Sequence, residues 1–217
     1  MDDFPSLTTL PYHDLRDEIQ SGDLLLCSGH SIFSNLIKKA TKSVWSHVAF
    51  ILKLDAIDRI MVLESVESFG VRTIPLSNYV RDYNGTAKGY PGRIMIARHD
   101  DVKPASISKL SNKAIDFLGF PYRLEEIVHI AIRISRHEIG LSDSGPDQGA
   151  PRAFICSEYA QICFRSIDIE IDYNSMGFIT PADFYRHPKV KPLTYLAIEN
   201  LPQPHQIQAH PKLHMQG

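Results

Sequence analysis

The chain has 217 residues, 23 basic and 25 acidic side chains, and a formal charge of −2. That length is enough to bury a full core in one domain, and the near-neutral balance excludes recruitment of nucleic acid or an anionic surface by bulk charge. The beginning, Met1-Asp2-Asp3-Phe4-Pro5, lacks the basic and apolar regions of a secretory signal, and no stretch approaches the roughly 18 apolar residues of a membrane span. The expectation is a soluble, cytoplasmic protein with no integral membrane segment.

In chain order, Asp14 to Gln20 reads as a short helix closed by Ser21-Gly22-Asp23, and Leu24 to Cys27 as a buried strand. Ile32 to Thr41 has helical spacing. His47 to Leu54 and Ile60 to Val66 form a predicted hairpin, Val71 to Pro75 a third strand after the turn Ser68-Phe69-Gly70, and Arg93 to Arg98 a fourth. From Pro104 the period changes: Ile107, Leu110, Ala114, Phe117 and Leu118 mark an amphipathic helix ending near Gly119. A further helix is expected over Leu124 to Ser135, then a long Gly/Ser/Asp/Pro-rich loop from Glu138 to Ala153, a length uncommon except in lids or disordered segments. A helix follows from Cys156 through Ile167, and Thr180-Pro181-Ala182-Asp183 opens a last short one. Residues 1–200 are read as one domain and 201–217, rich in Pro, His and Gln, as a loose tail.

Three cysteines, Cys27, Cys156 and Cys163, make no disulfide framework, and no Cys-x-x-Cys or His-x-x-x-His spacing suggests a metal or other cofactor. Seven helical residues would hold the sulfurs of Cys156 and Cys163 roughly 10 Å apart, beyond disulfide reach. Unpaired cysteine usually behaves as a small buried hydrophobe, and Cys27 and Cys163 fit that description. Cys156 differs, because it opens a helix after a Gly/Pro-rich loop, where the helix N-terminus favours a thiolate.

A thiol nucleophile also needs an imidazole and a group to orient it. His47 opens an apolar strand. An even number of unpaired residues in the hairpin loop, for instance Ala56-Ile57, sets His47 opposite Val66 and Glu64 opposite Ala49, so that both point to one face as diagonal neighbours. A one-residue slip would separate them. Each residue alone has a blander reading, as a strand-edge histidine and a solvated glutamate. Tyr122, after Gly119-Phe120-Pro121, Tyr159, just inside the cysteine helix, and Ser46, beside the histidine, are candidate substrate contacts. Lys38, Lys39 and Lys42 read as a solvated helix face.

The order of these motifs carries a resemblance. Gly22-Asp23-Leu24-Leu25-Leu26, Ser46-His47-Val48, Leu63-Glu64-Ser65, Gly70-Val71-Arg72, Pro75-Leu76, Ile155-Cys156-Ser157-Glu158 and Thr180-Pro181-Ala182-Asp183-Phe184 resemble the circularly permuted NlpC-like cysteine hydrolases of the papain-like superfamily, of the YiiX type. In that group the histidine precedes the cysteine, and the likeness covers roughly residues 20 to 190.

The resemblance implies an α+β fold, a small antiparallel sheet or barrel packed against helices, with Cys156 as nucleophile, His47 as general base and acid and Glu64 as the third residue. It implies a small peptide or acyl substrate: an amide next to D-glutamate in a murein-derived peptide or, as in the lecithin retinol acyltransferase relatives, an ester or acyl transfer on lipid. A third possibility is an interaction module in which Cys156 is inert.

Overall fold

The computed structural model describes residues 2–123, 154–174 and 178–199. Its frame is one seven-stranded sheet in the order β1-β7-β6-β2-β3-β4-β5, formed by β1 (Thr9–Leu10), β2 (Leu24–Gly29), β3 (His47–Leu54), β4 (Arg59–Val66), β5 (Gly70–Pro75), β6 (Gly92–His99) and β7 (Val190–Leu196). All pairings are antiparallel except β1 with β7, where Thr9 lies beside Tyr195. The α+β expectation is met.

Every residue of β2 is buried, because the sheet is covered on both faces and its central strands are apolar on both sides. On one face Leu24, Leu26, Val48, Phe50 and Leu63 pack against α4 (Ile107–Ile115), α5 (Cys156–Arg165) and α6 (Pro181–Arg186) through Leu110, Ala114, Tyr159, Phe164 and Phe184. On the other, Leu25, Cys27, Ala49, Ile51 and Val62 meet α1 (Tyr12–Leu15) and α3 (Leu76–Arg81) through Tyr12, Leu15, Leu76 and Tyr79. Each large side chain so enclosed contributes about 1.5 to 3 kcal/mol. A remaining helix, α2 (Ile32–Thr41), lies outside both layers and has no fully buried residue.

The β3–β4 hairpin sets Phe50 opposite Leu63 and Leu54 opposite Arg59. This is the register expected for an even loop, although the loop spans residues 55–58, a 3₁₀ turn closed by Asp58 at φ 49°, rather than two residues. The cysteine helix starts because Ile155 is still extended (ψ 164°) and the Glu158 carboxylate accepts its N–H at 3.2 Å, which places an acid in the first turn. It ends where Asp168 turns left-handed (φ 61°) and Ile169 N donates back to Phe164 O.

Several elements differ from the sequence reading. The helix expected over Asp14 to Gln20 is only Tyr12–Leu15, because the Asp23 carboxylate takes the Gln20 N–H at 2.8 Å and turns the chain. β1, α3 and β7 carry no adequate local signal. β7 contains Pro192, tolerated where it sits at a bulge and makes no ladder contact with β1. The expected helix over Leu124 to Ser135, the Glu138 to Ala153 loop and the 201–217 tail lie outside the described residues.

Candidate active site

His47 is the first residue of β3 and lies opposite Cys27 of β2. Ser46 clips this strand start in place: its N–H donates to Cys27 O at 2.9 Å, its hydroxyl donates to the same oxygen at 3.3 Å, and its Oγ accepts from Gly29 N at 3.0 Å. The Ser46 hydroxyl is therefore engaged by the β2 backbone, and it does not line either cleft described below.

The His47 ring reaches Glu64 across the diagonal of the hairpin, with Nε2 2.9 Å from Oε2. Glu64 is 0% exposed and is held by two further side chains. Arg72, directly across the β4–β5 ladder, donates from Nε to Oε1 at 2.8 Å and keeps Nη2 2.7 Å from the same oxygen. The Tyr79 hydroxyl of α3 donates to Oε2. Burial alone would push the Glu64 carboxyl up, but its hydrogen bond and charge interaction with His47, the Arg72 charge and the Tyr79 hydroxyl outweigh it, and the net shift is downward. Glu64 is thus a buried, fully partnered anion.

Cys156, the first residue of α5, stands on the other side of the imidazole. Burial disfavours a charged His47 ring, yet its charge and hydrogen-bond interactions with the Cys156 sulfur and with Glu64 raise its pKa to about 10. Since Nε2 is occupied by Glu64, Nδ1 is the nitrogen left for the sulfur. Cys156 belongs to one core layer, while Glu64 has the strand parity of Val62 in the other, so the imidazole joins the two layers at the strand end. Burial pushes the thiols of Cys27 and Cys163 up and keeps them neutral; all three cysteines are free.

Two adjoining clefts meet at Tyr122 and Ile37. One contains Cys156 and is walled mainly by Leu36, Ala40, Ile155, Ile179 and Pro181. The other contains His47 and is mixed, with Ser31, Ser34, Ser65 and Glu67 beside Phe33, Phe69, Tyr83 and Tyr90. Tyr159, expected as a substrate contact, is placed elsewhere: its ring packs between Phe50, Phe117 and Phe154, and its hydroxyl donates to Ala114 O at 3.1 Å. Arg72 and Tyr79 had no assigned role in the sequence reading. Arg72 had a detectable signal, its cross-strand position opposite Glu64, whereas nothing local marked Tyr79. Among the described residues no group of three or more His, Cys, Asp or Glu could hold a metal ion.

Residues 18–129 match the model of a protein family described as permuted papain-like amidase enzyme, YaeF/YiiX, C92 family. This segment contains His47, Glu64 and Arg72; Cys156 lies beyond it. The structure is similar to a solved one, the metalloprotein yiiX from Escherichia coli O157:H7, with a TM-score of 0.56 and 17% sequence identity over 83% of this chain and 97% of that one. At that identity the likeness concerns the fold. No curated protein matches the sequence.

Proposed function

The chain belongs to the permuted papain-like amidase family, and from that premise we propose that it hydrolyses an amide bond through Cys156, His47 and Glu64. The observation that carries this reading is the continuous chain from the Cys156 sulfur through the imidazole to a buried carboxylate. The Cys156 thiolate adds to the carbonyl carbon, with the charge developing on oxygen within reach of the N–H groups that open α5. His47 gives its proton to the departing amine nitrogen as the C–N bond breaks, leaving a thioester. Water then adds to the thioester carbon, His47 takes its proton, and the C–S bond breaks to release the acid and restore the thiolate. Glu64 holds the ring with Nδ1 toward sulfur and stabilises the imidazolium.

Two substrate classes suit this site. A murein-derived peptide, to which the family resemblance points, would seat its amine portion in the His47 cleft, against Glu67 and the serines of its lining. The specific observation favouring the second, an amide or ester of an apolar acyl group, is the lining of the Cys156 cleft, which includes no charged side chain among the described residues. The acyl portion bonded to sulfur would lie there and the leaving group on the histidine side.

The decisive experiment is the rate of iodoacetamide alkylation of Cys156 against pH in the wild type and in His47→Ala, read by mass spectrometry. Retained fast reaction at low pH that disappears with the histidine is expected. A midpoint near the free-thiol value of roughly 8.5 in both proteins would overturn the hydrolase and leave the interaction module. Turnover of an N-acyl amino acid amide against a γ-D-glutamyl peptide then separates the substrate classes, with Cys156→Ala expected to lose at least about 10³-fold in either case.

A further inference from the structure

Helix α2 is amphipathic in a way the rest of the fold does not explain. Its apolar residues, Ile32, Phe33, Leu36, Ile37 and Ala40, span well over a third of its circumference. Three of these five are packed away: Phe33, Ile37 and Ala40 join Tyr122 against Ile155 and Phe178. Ile32 is 85% exposed and Leu36 37% exposed. Lys39, one helical turn beyond Leu36 and two beyond Ile32, sits at the edge of the same exposed strip.

The two flanks of the helix are chemically opposite. One flank is the wall of the apolar Cys156 cleft. The other borders a recess lined by Lys38, Lys39, Lys42, Arg93 and His30, with no acidic side chain in its lining among the described residues. Arg93 is fixed there by stacking on Phe4 at 4.4 Å, and Lys38 donates to Gly29 O at 2.7 Å. Across the His47 cleft from Phe33, Phe69 at the β4–β5 turn is 54% exposed. Bulk charge is near neutral, so this is a local concentration of cations around an exposed apolar ridge.

We propose that α2 is an interfacial helix that docks on an anionic lipid surface, sinking Ile32 and Leu36 into the headgroup region while the cations of the adjacent recess engage lipid phosphates. An apolar ridge with basic residues along its edge is the pattern that binds such surfaces, by area and by charge together. Docked in this way, the mouth of the Cys156 cleft faces the lipid, and an acyl chain reaches the thiolate without crossing water. The proposal deepens the acyl reading of the site, but docking itself requires no catalysis.

The test is therefore made on full-length Cys156→Ala, by cosedimentation with phosphatidylcholine vesicles and with phosphatidylcholine/phosphatidylserine vesicles. Binding to the anionic vesicles only, weakened by salt, is expected. Ile32→Asp and the pair Lys39→Glu/Lys42→Glu should each lower it by more than about tenfold, with circular dichroism unchanged from the parent. Absent binding, binding equal on both vesicles, or binding untouched by both variants overturns docking and leaves the thiol experiment above unaffected. Loss of self-association in Ile32→Asp without lipid binding would make the ridge a contact between copies. Retention of inorganic phosphate by the recess, with no vesicle binding, would make it a site for a soluble anion.

Discussion

The two faces of the sheet are held together by different physics, and the candidate site lies where they meet. The α4–α6 face is almost wholly apolar, a packed set of rings in which Phe50 meets Phe164 edge-on and Phe164 meets Phe184; polar atoms there, such as the Tyr159 hydroxyl, bond to backbone. The α1–α3 face contains a buried carboxylate, an arginine and a tyrosine cluster in which Tyr79 stacks on Tyr90 at 5.6 Å. The first face places a helix and its thiol by volume. The second places a charge by hydrogen bonds, and its geometry survives only while every partner is present.

The sharpest way to break that distinction is to damage each face equally and watch the thiol. Phe164→Ala should cost about 3 to 5 kcal/mol through the cavity it leaves, and Glu64→Gln about 3 to 5 kcal/mol by stranding the Arg72 charge. In urea melts the two should look alike. The pH dependence of Cys156 alkylation should separate them, shifting in Glu64→Gln and holding in Phe164→Ala; a shift in both would mean that packing, and not the carboxylate, sets the pair.

A smaller effect is expected at Tyr79→Phe, which keeps the ring and removes one donor from Glu64. It should lose about 1 to 3 kcal/mol, and the loss should vanish in a Glu64→Gln background, where the anionic acceptor is already gone.

The mildest prediction concerns pH alone. His47 in the folded protein has its pKa raised from 6.5 to about 10, so its contribution to stability is fully present below pH 6.5 and is lost as pH rises through 10. Across that window the native ring holds a proton that the unfolded histidine has released, matched up to the free-thiol range of roughly 8.5 by the proton on the unfolded cysteine, so the net fall in stability, at most about 1.4 kcal/mol per unit, should appear above about pH 8.5. His47→Ala should flatten the slope; an unchanged slope would assign it to other groups. Glu64 works in the opposite sense: with its pKa lowered, it stabilises above the ordinary carboxylate range and ceases to do so as pH falls through its depressed value.

Much of the sheet was legible because strands β2, β3, β4 and β6 carry apolar runs bounded by turn residues, and because parity makes the β3–β4 register a discrete choice. An even loop puts His47 and Glu64 on one face whether it holds two residues or four. What escaped the sequence reading has tertiary causes. Tyr79 sits in a six-residue helix too short to announce itself by period, and it meets Glu64 only because that helix folds back over β4. Tyr159 looked like a cleft residue from its place one turn inside α5, but a helix presents several faces, and its face points into the rings of Phe50 and Phe117. β7 was concealed by Pro192, a residue the strand tolerates beside its own bulge at Leu193. For α2 the apolar spacing was clear, yet nothing in spacing alone could tell which half of the stripe would be left in water.

The short parallel pairing of Thr9–Leu10 with Tyr195–Leu196 bears on connectivity. These two segments lie side by side but run parallel, so a crossover linker of about a dozen residues could join them. On the opposite side of the molecule Phe154 N donates to Pro121 O and Arg123 N to Phe154 O, which brings the flanks of residues 124–153 together as well. A chain rejoined at the first place and opened at the second would read thiol first and imidazole last, the reverse of the present order, with the hairpin, the carboxylate and the start of α5 all in their present positions. The reactive constellation is therefore a property of the sheet and the helix laid against it, and the order in which the polypeptide visits them is an independent variable.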